Sequence, residues 1–171
     1  MNTKSLIEKK VVVSCAGKFH AFALAEQLNK HKILERLFTS YAFQKNVALR
    51  TLANRIDREQ IPKNKISTNP FIAFKMKLSK DDFLTMEAFD KWVAKNLIKI
   101  NADFFIGWSG MSLNSLKIAK EKGMLTILER GSSHIEYQNK ILKDEYYLFG
   151  KEFEIDKRFI DKELYEYDKC D

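Results

Sequence analysis

The chain has 171 residues, of which 45% are hydrophobic and 31% charged, which is ordinary for a soluble globular protein with one sizeable core. No apolar run approaches the roughly 20 residues of a membrane span, and the first ten residues lack the apolar stretch of a signal peptide. We therefore expect a single domain over residues 1–171 in the cytoplasm, with Cys15 and Cys170 forming neither a disulfide nor a metal site.

The net charge of +7 is unevenly distributed along the chain. Between residues 44 and 80 there are nine basic side chains and two acidic ones. A basic, partly apolar stretch of this kind predicts an anionic partner, such as phosphate groups, an anionic membrane surface or nucleic acid. A solvated lysine-rich surface is the alternative.

The first predicted elements form a strand-helix-strand unit. Residues 10–14 are a short run of β-branched residues, typical of a strand that is buried on both faces. Apolar residues at helical spacing follow over residues 19–32, and residues 33–39 read as a second strand. Such a unit within about thirty residues indicates parallel strands joined by a crossover helix.

The rest of the chain continues the alternation. We predict partial helix over residues 41–60, a short strand at 66–68, and a helix from Asp81 or Asp82 to about residue 100. A strand at 102–108, a helix from Ser112 or Asn114 to 122 and a strand at 125–129 follow, and residues 133–149 and 156–168 are helical. This order predicts a Rossmann-like, doubly wound α/β fold with a mainly parallel sheet and helices on both faces.

Three strand ends with small or polar residues share one edge of such a sheet. They are residues 14–20, residues 108–112 with Ser109 and Gly110, and residues 130–134. Convergence of three glycine-bearing loops at the carboxyl edge predicts a ligand site there. The first loop lacks both the G-x-G-x-x-G fingerprint and the Walker pattern, so we do not predict NAD or ATP binding. Gly17 predicts close approach of the backbone to a ligand, or else a simple helix-entry turn.

The break between Arg130 and His134 is the strongest candidate. A strand that stops at Gly131 and restarts as a helix behind Ser132 or Ser133 exposes backbone N–H groups to an anion. Arg130 suits planar contacts with phosphate or carboxylate, unless it pairs internally with an acid such as Glu136.

Histidines start two of the predicted helices. His20 and His134 can each donate to a phosphate or a sugar hydroxyl, or accept a proton, and a surface or capping role is the alternative for both. Ser132 and Ser133 are most simply helix N-caps. Neither GWSGM nor RGSSH fits the G-x-S-x-G elbow of a serine hydrolase. The aromatic residues from Tyr137 to Phe149 have helical spacing, which favours packing.

Three blocks of sequence resemble a known family, in order and over almost the whole chain. The blocks are VVVSCAGKFHAFALAEQL, ADFFIGWSGMSLNSLKIAKEKG and LERGSSHIEYQNKILKDEYYLFG, the last followed by a helix that ends YEYDKCD. They resemble the N-terminal lobe of retaining glycosyltransferases with the GT-B architecture, specifically glycosyltransferase family 4. The third block is the most specific of the three.

The resemblance implies a role for each strand-end loop. In the family the N-terminal lobe carries the acceptor site, and a hexose passes from a UDP-, GDP- or ADP-sugar with retained configuration, without a bound metal or cofactor. The residues that match substrate-binding positions are Gly17, Lys18, His20, Ser109, Gly110, Arg130, Gly131, Ser132 and Ser133. His134 is the match for a catalytic histidine beside the transferred sugar, although the family often places that residue directly after the strand.

The resemblance also implies partners. Family members have a second, C-terminal lobe that holds most of the donor, so we expect a C-terminal lobe or partner chain and little turnover by these residues alone. The acceptor would be a glycan, a lipid-linked sugar or a small molecule, with the basic stretch meeting an anionic membrane surface at the inner face. Nucleic acid is not expected. The alternative is a non-catalytic α/β module that binds an anionic ligand or a protein.

Overall fold

The structure, a computed structural model, describes residues 9–40 and 61–171. A sheet of five parallel strands lies at its centre, in the spatial order β3-β2-β1-β4-β5. The strands are β1 (Val11–Ser14), β2 (Leu34–Thr39), β3 (Ile66–Thr68), β4 (Phe104–Trp108) and β5 (Leu125–Glu129). The chain winds outward from β1 in one direction and from β4 in the other, which confirms the predicted doubly wound fold.

Six α-helices in the described ranges surround the sheet. They are α1 (Ala21–Lys30), α2 (Pro70–Leu78), α3 (Asp82–Leu97), α4 (Leu113–Glu121), α5 (Ile135–Leu148) and α6 (Lys157–Lys169). A 3₁₀ turn, Lys63–Lys65, precedes β3. No helix among the described residues is both long and apolar enough to cross a bilayer.

The core forms where the central strands are covered on both faces. All four residues of β1 are buried, and Leu34, Leu37 and Phe105 of the neighbouring strands are fully excluded from solvent. Helices contribute Phe22, Phe89 and Leu116 to the same cluster. The central strands are buried on both faces because helices cover both sides of the sheet there. This explains why their sequences are continuous apolar runs and not alternating ones.

The structure corrects the prediction in two places, and a third prediction is not tested. Helix α2 was not predicted; Pro70 stands at its first turn, where a missing N–H costs nothing, and the Asn69 side chain caps it. Helix α5 begins at Ile135, so neither Ser132 nor Ser133 is its N-cap. The predicted partial helix at residues 41–60 lies outside the described residues, as do residues 44–60 of the basic stretch.

The last helix has an unusual buried face. The buried side chains of α6 are Lys162, Glu163 and Glu166, all of them charged. The helix packs on α4 and α5 and brings these charges to the carboxyl ends of β4 and β5. Charged residues are almost never fully buried unless they are paired, so each of the three is expected to have a specific partner.

Candidate functional site

The strand order reverses between β1 and β4. In open α/β sheets ligands bind in the crevice outside the carboxyl ends of the strands at this point. Here the loops that follow β1, β4 and β5 meet, as the sequence predicted. The Ser109 N–H donates to the Glu129 carbonyl over 2.9 Å, and the Ala16 N–H lies 3.2 Å from the sulfur of Met111.

The loop after β1 is fixed by contacts on its buried side. The carbonyl of Ala16 accepts a short hydrogen bond from the Ser40 hydroxyl, and the Cys15 N–H donates to Phe38 over 3.0 Å. Burial raises the pKa of the Cys15 thiol to about 12, so this sulfur stays protonated and is not a nucleophile near neutral pH. Phe19 has a φ of 31° and is 62% exposed, which places a strained aromatic residue at the mouth of the crevice.

His20 and Glu129 join the first loop to the last. The Nε2 atom of His20 lies 3.1 Å from the Glu129 carboxylate, and its ring centroid is 5.2 Å from that of Trp108. Both members of the pair are about half-exposed. An imidazole and a carboxylate offer hydrogen-bond donors and acceptors to the hydroxyl groups of a ligand.

Two polar groups beneath this pair are buried without a partner among the described residues. They are the hydroxyl of Ser14, at the end of β1, and the indole N–H of Trp108, at the end of β4. An unmet buried donor or acceptor costs about 1–3 kcal/mol. The ends of the two strands that define the switch point therefore both carry unmet hydrogen-bonding capacity.

Arg130 is held inside the protein. Its guanidinium donates to the carbonyl of Ser133 over 2.6 Å, to Gln138 over 2.6 Å and to the Ser109 hydroxyl over 3.2 Å, and it forms a short ion pair with Glu163. The internal partner is thus Glu163 of α6 and not Glu136, the acid that sequence proximity suggested. Only 14% of the side chain is exposed, so Arg130 orders the loop before α5, and its binding of substrate stays a prediction.

The other residues of the last loop stand further from the switch point. The His134 ring packs 4.9 Å from that of Tyr167 on α6 and is half-exposed. The Ser132 hydroxyl donates to Gln138 over 3.1 Å. Gly131 has open space where a Cβ would stand. The described contacts join His20 to Glu129 and Trp108, but do not join His134 to that group.

The N-terminus of α4 is occupied by carboxylates of the protein itself. Glu166 accepts from the Gly110 N–H over 2.5 Å and from the Ser112 N–H over 2.7 Å. Asp90 accepts from the Asn114 and Ser115 N–H groups over 2.8 and 2.9 Å. These are the N–H groups that would receive an anionic ligand, so the anion site at this strand end is filled internally.

A buried lysine, Lys162, lies among the carboxylates of this cluster. The ammonium of Lys162 lies 3.3 Å from Asp90 and 2.8 Å from Glu87, and only 4% of its side chain is exposed. Burial raises the pKa of Glu166 to about 7, while its two backbone hydrogen bonds and Lys162 oppose that rise. The cluster fixes α6 against α3 and α4, and leaves the β1 and β5 loops as the open part of the crevice.

We expect Glu166 to make folding stability depend on pH between about 4.5 and 7. Its pKa is higher in the native state than the ordinary value of 4.5, so its contribution to stability is greatest below pH 4.5 and is lost as the pH rises through about 7. Since one pKa unit corresponds to about 1.4 kcal/mol, the contribution is on the order of 3 kcal/mol. Urea unfolding of wild type and Glu166→Gln at several pH values measures this contribution. It is the change with pH in the difference between their free energies of unfolding.

The comparison with Glu166→Gln focuses on this one group. Lys162 and Asp90, which face Glu166 from α6 and α3, are present in both proteins, so the difference reports Glu166 together with its coupling to these two groups. Carboxyls with lowered pKa values, such as Asp103 and Asp171, act with the opposite sign at lower pH. A difference between the two proteins that stays constant from pH 4.5 to 8 would contradict the prediction.

Sequence reasoning missed the side chains that organise the site. Glu129 was recognised as a strand end but not as the partner of His20, and Asp90, Glu163 and Glu166 were not recognised at all. The pairs are separated by 25 to 109 residues, so no local spacing connects them. The one available signal was three charged residues on the inward side of α6.

Among the described residues, no cluster of three or more His, Cys, Asp or Glu could hold a metal ion.

The aromatic run of α5 is also placed differently from the prediction. Tyr147 and Phe149 are 81% and 77% exposed, so they do not pack into the core as their helical spacing suggested.

A scan against protein-family models finds no match to this chain, and a search of curated proteins finds none either.

Proposed function

We propose that this domain is the acceptor-side lobe of a retaining glycosyltransferase that uses a nucleotide-sugar donor. The observation that carries the proposal is the His20–Glu129 pair, which spans the switch-point crevice beside Trp108. A half-exposed carboxylate repels phosphate but accepts hydrogen bonds from hydroxyl groups, so this part of the crevice suits a sugar or polyol. The Rossmann-like sheet and the ordered resemblance of three sequence blocks support the same assignment.

Each open loop has a role in this proposal. Glu129 accepts from an acceptor hydroxyl, and His20 donates to or accepts from its neighbour, since an imidazole can do either. By the family resemblance, Gly17 and Lys18 are assigned to the donor phosphates and His134 to the transferred sugar. Donor binding falls mainly to a second lobe, so the domain alone is expected to bind sugars weakly and to transfer them slowly.

Ligand binding can be followed by NMR on the nitrogen-15-labelled domain. The indole N–H groups of Trp92 and Trp108 give two resolved signals, which Trp92→Phe assigns. We expect simple glycosides and UDP-, GDP- or ADP-sugars, tested separately, to shift the Trp108 indole and the Gly17 amide. His20→Ala and Glu129→Ala should each weaken glycoside binding by about tenfold or more, because a hydrogen bond to a charged group contributes about 1.5–3 kcal/mol.

His31→Ala is the matched control for His20→Ala. His31 is an exposed histidine at the other end of the same helix, and its replacement should leave glycoside binding unchanged. Shifts with inorganic phosphate but with no glycoside would favour the alternative, a module that binds anions. Fast transfer of sugar by this domain alone would contradict the assignment of donor binding to a second lobe.

A further inference from the structure

Helix α2 has two apolar faces. Ile72 is buried and Met76 partly buried against the core, which accounts for one face. On the other face Phe71, Phe74 and Leu78 are 86%, 64% and 67% exposed. Residues three and four apart lie one above the other on a helix, so these three side chains form a continuous apolar stripe that points away from the domain.

Lysines lie beside the stripe on the helix and on both sides of it in the sequence. Lys75 and Lys77 are exposed residues of the same helix, and Lys80 follows its C-terminus. Lys63 and Lys65 lie in the turn before β3, the strand that leads into α2. From residue 61 to residue 80 the sequence contains five lysines and no acid. The surface therefore combines large exposed apolar side chains with positive charge of one sign.

We propose that α2 is a membrane-docking surface, which inserts Phe71, Phe74 and Leu78 into the interface of an anionic bilayer. Amphipathic helices that lie in a membrane interface combine these features: bulky apolar side chains on one face and lysines beside them that reach the lipid phosphates. The lysine ammonium groups provide charge complementarity with the anionic headgroups. Electrostatic attraction brings the helix to the membrane surface, and burial of the aromatic rings in the interface then keeps it there.

A comparison with the exposed apolar residues at the end of α5 shows why the charge beside the α2 stripe favours a membrane as its partner. Tyr147, Leu148 and Phe149 are as exposed as the α2 residues. Their neighbours are of mixed charge, with Asp144, Glu145, Glu152 and Glu154 beside Lys140, Lys143 and Lys151, whereas the acids nearest the α2 stripe are Asp81, which pairs with Arg158, and Asp82. Of these two described helices, only α2 joins exposed aromatic residues to a stretch without acids. The α2 surface also stands apart from the His20–Glu129 pair, so this inference does not depend on the proposed function.

Co-sedimentation with vesicles tests the surface directly. We expect the full chain to bind vesicles that contain about 30% phosphatidylglycerol at low salt, and to bind pure phosphatidylcholine vesicles at least about tenfold more weakly. Phe71→Ser/Phe74→Ser and Lys75→Gln/Lys77→Gln should each reduce binding by about tenfold or more, since each removes part of the apolar or the electrostatic attraction. Leu148→Ser/Phe149→Ser, which removes a similar exposed area from α5, should bind like wild type.

Insertion has its own readout. Phe74→Trp keeps an aromatic ring in the stripe, and the indole emission that it adds to wild type should shift to shorter wavelength and be quenched by brominated lipid when anionic vesicles are added. Circular dichroism checks that each variant is folded. Equal binding to neutral and anionic vesicles, equal loss in the α2 and α5 variants, or no quenching of the emission added by Phe74→Trp would each overturn the proposal. Burial of the α2 stripe in a protein complex, with no vesicle binding, would also overturn it in favour of a protein partner.

Discussion

Replacing Asp90 with alanine is expected to lower the free energy of unfolding by about 3–5 kcal/mol. The side chain is fully buried and accepts from the N–H groups of Asn114 and Ser115, and from both of their side chains over 2.7 to 2.9 Å. It also lies 3.3 Å from the Lys162 ammonium. The alanine variant leaves the N–H groups of Asn114 and Ser115 without this acceptor. It also leaves the buried Lys162 ammonium with one fewer of its ion-pair partners, Glu87 remaining.

A graded series separates these causes. Asp90→Asn keeps one acceptor oxygen but removes the charge, so its loss should be smaller, about 1–3 kcal/mol. Asp144→Ala is the control, because Asp144 is an exposed carboxylate paired with Lys140 on α5, and its removal should leave the urea midpoint unchanged. Equal midpoints for Asp90→Ala and wild type would show that the cluster does not hold α3 and α4 together.

The sheet could be predicted because its information is local. Four of the five strands are short apolar runs bounded by glycine or polar residues, and helices on the two faces of a parallel sheet cover such runs at its centre. Once the strands are placed, their carboxyl ends must share one edge, so the meeting of the loops that contain His20, Ser109 and Arg130 follows from topology. This is why the location of the crevice could be predicted without its internal contacts.

The internal contacts could not be predicted, because they reverse the usual relation between polarity and exposure. In an amphipathic helix the polar face is normally the solvent face. In α6 the charged residues Lys162, Glu163 and Glu166 are the buried ones, and their partners lie on other helices and strand-end loops. The missed helix α2 is different: Asn69 and Pro70 are a normal cap and first turn, so a local signal for its start is present in the sequence.

Removal of Arg130 should destabilise the domain more than joint removal of Arg130 and its partner. Arg130→Met leaves the Glu163 carboxylate buried, with the Tyr167 hydroxyl as its remaining side-chain donor among the described residues, over 2.8 Å, so we expect a loss of about 3–5 kcal/mol. Arg130→Met/Glu163→Gln removes both charges and keeps an acceptor for Tyr167. The double variant should therefore be more stable than the sum of the single losses predicts, with a coupling energy of about 1–3 kcal/mol.

The same cycle distinguishes a residue that orders the loop from one that binds substrate. Glu163→Gln leaves the guanidinium in place but weakens its anchor on α6, so the amide signals of Gly131, Ser132 and Ser133 should shift in the absence of any ligand. If Arg130 acts through this loop, glycoside binding should weaken in Glu163→Gln as well as in Arg130→Met. If Arg130 contacts the ligand itself, Glu163→Gln frees the guanidinium and should preserve or strengthen binding. Additive single losses with unchanged amide signals would contradict the proposed coupling between α6 and the crevice.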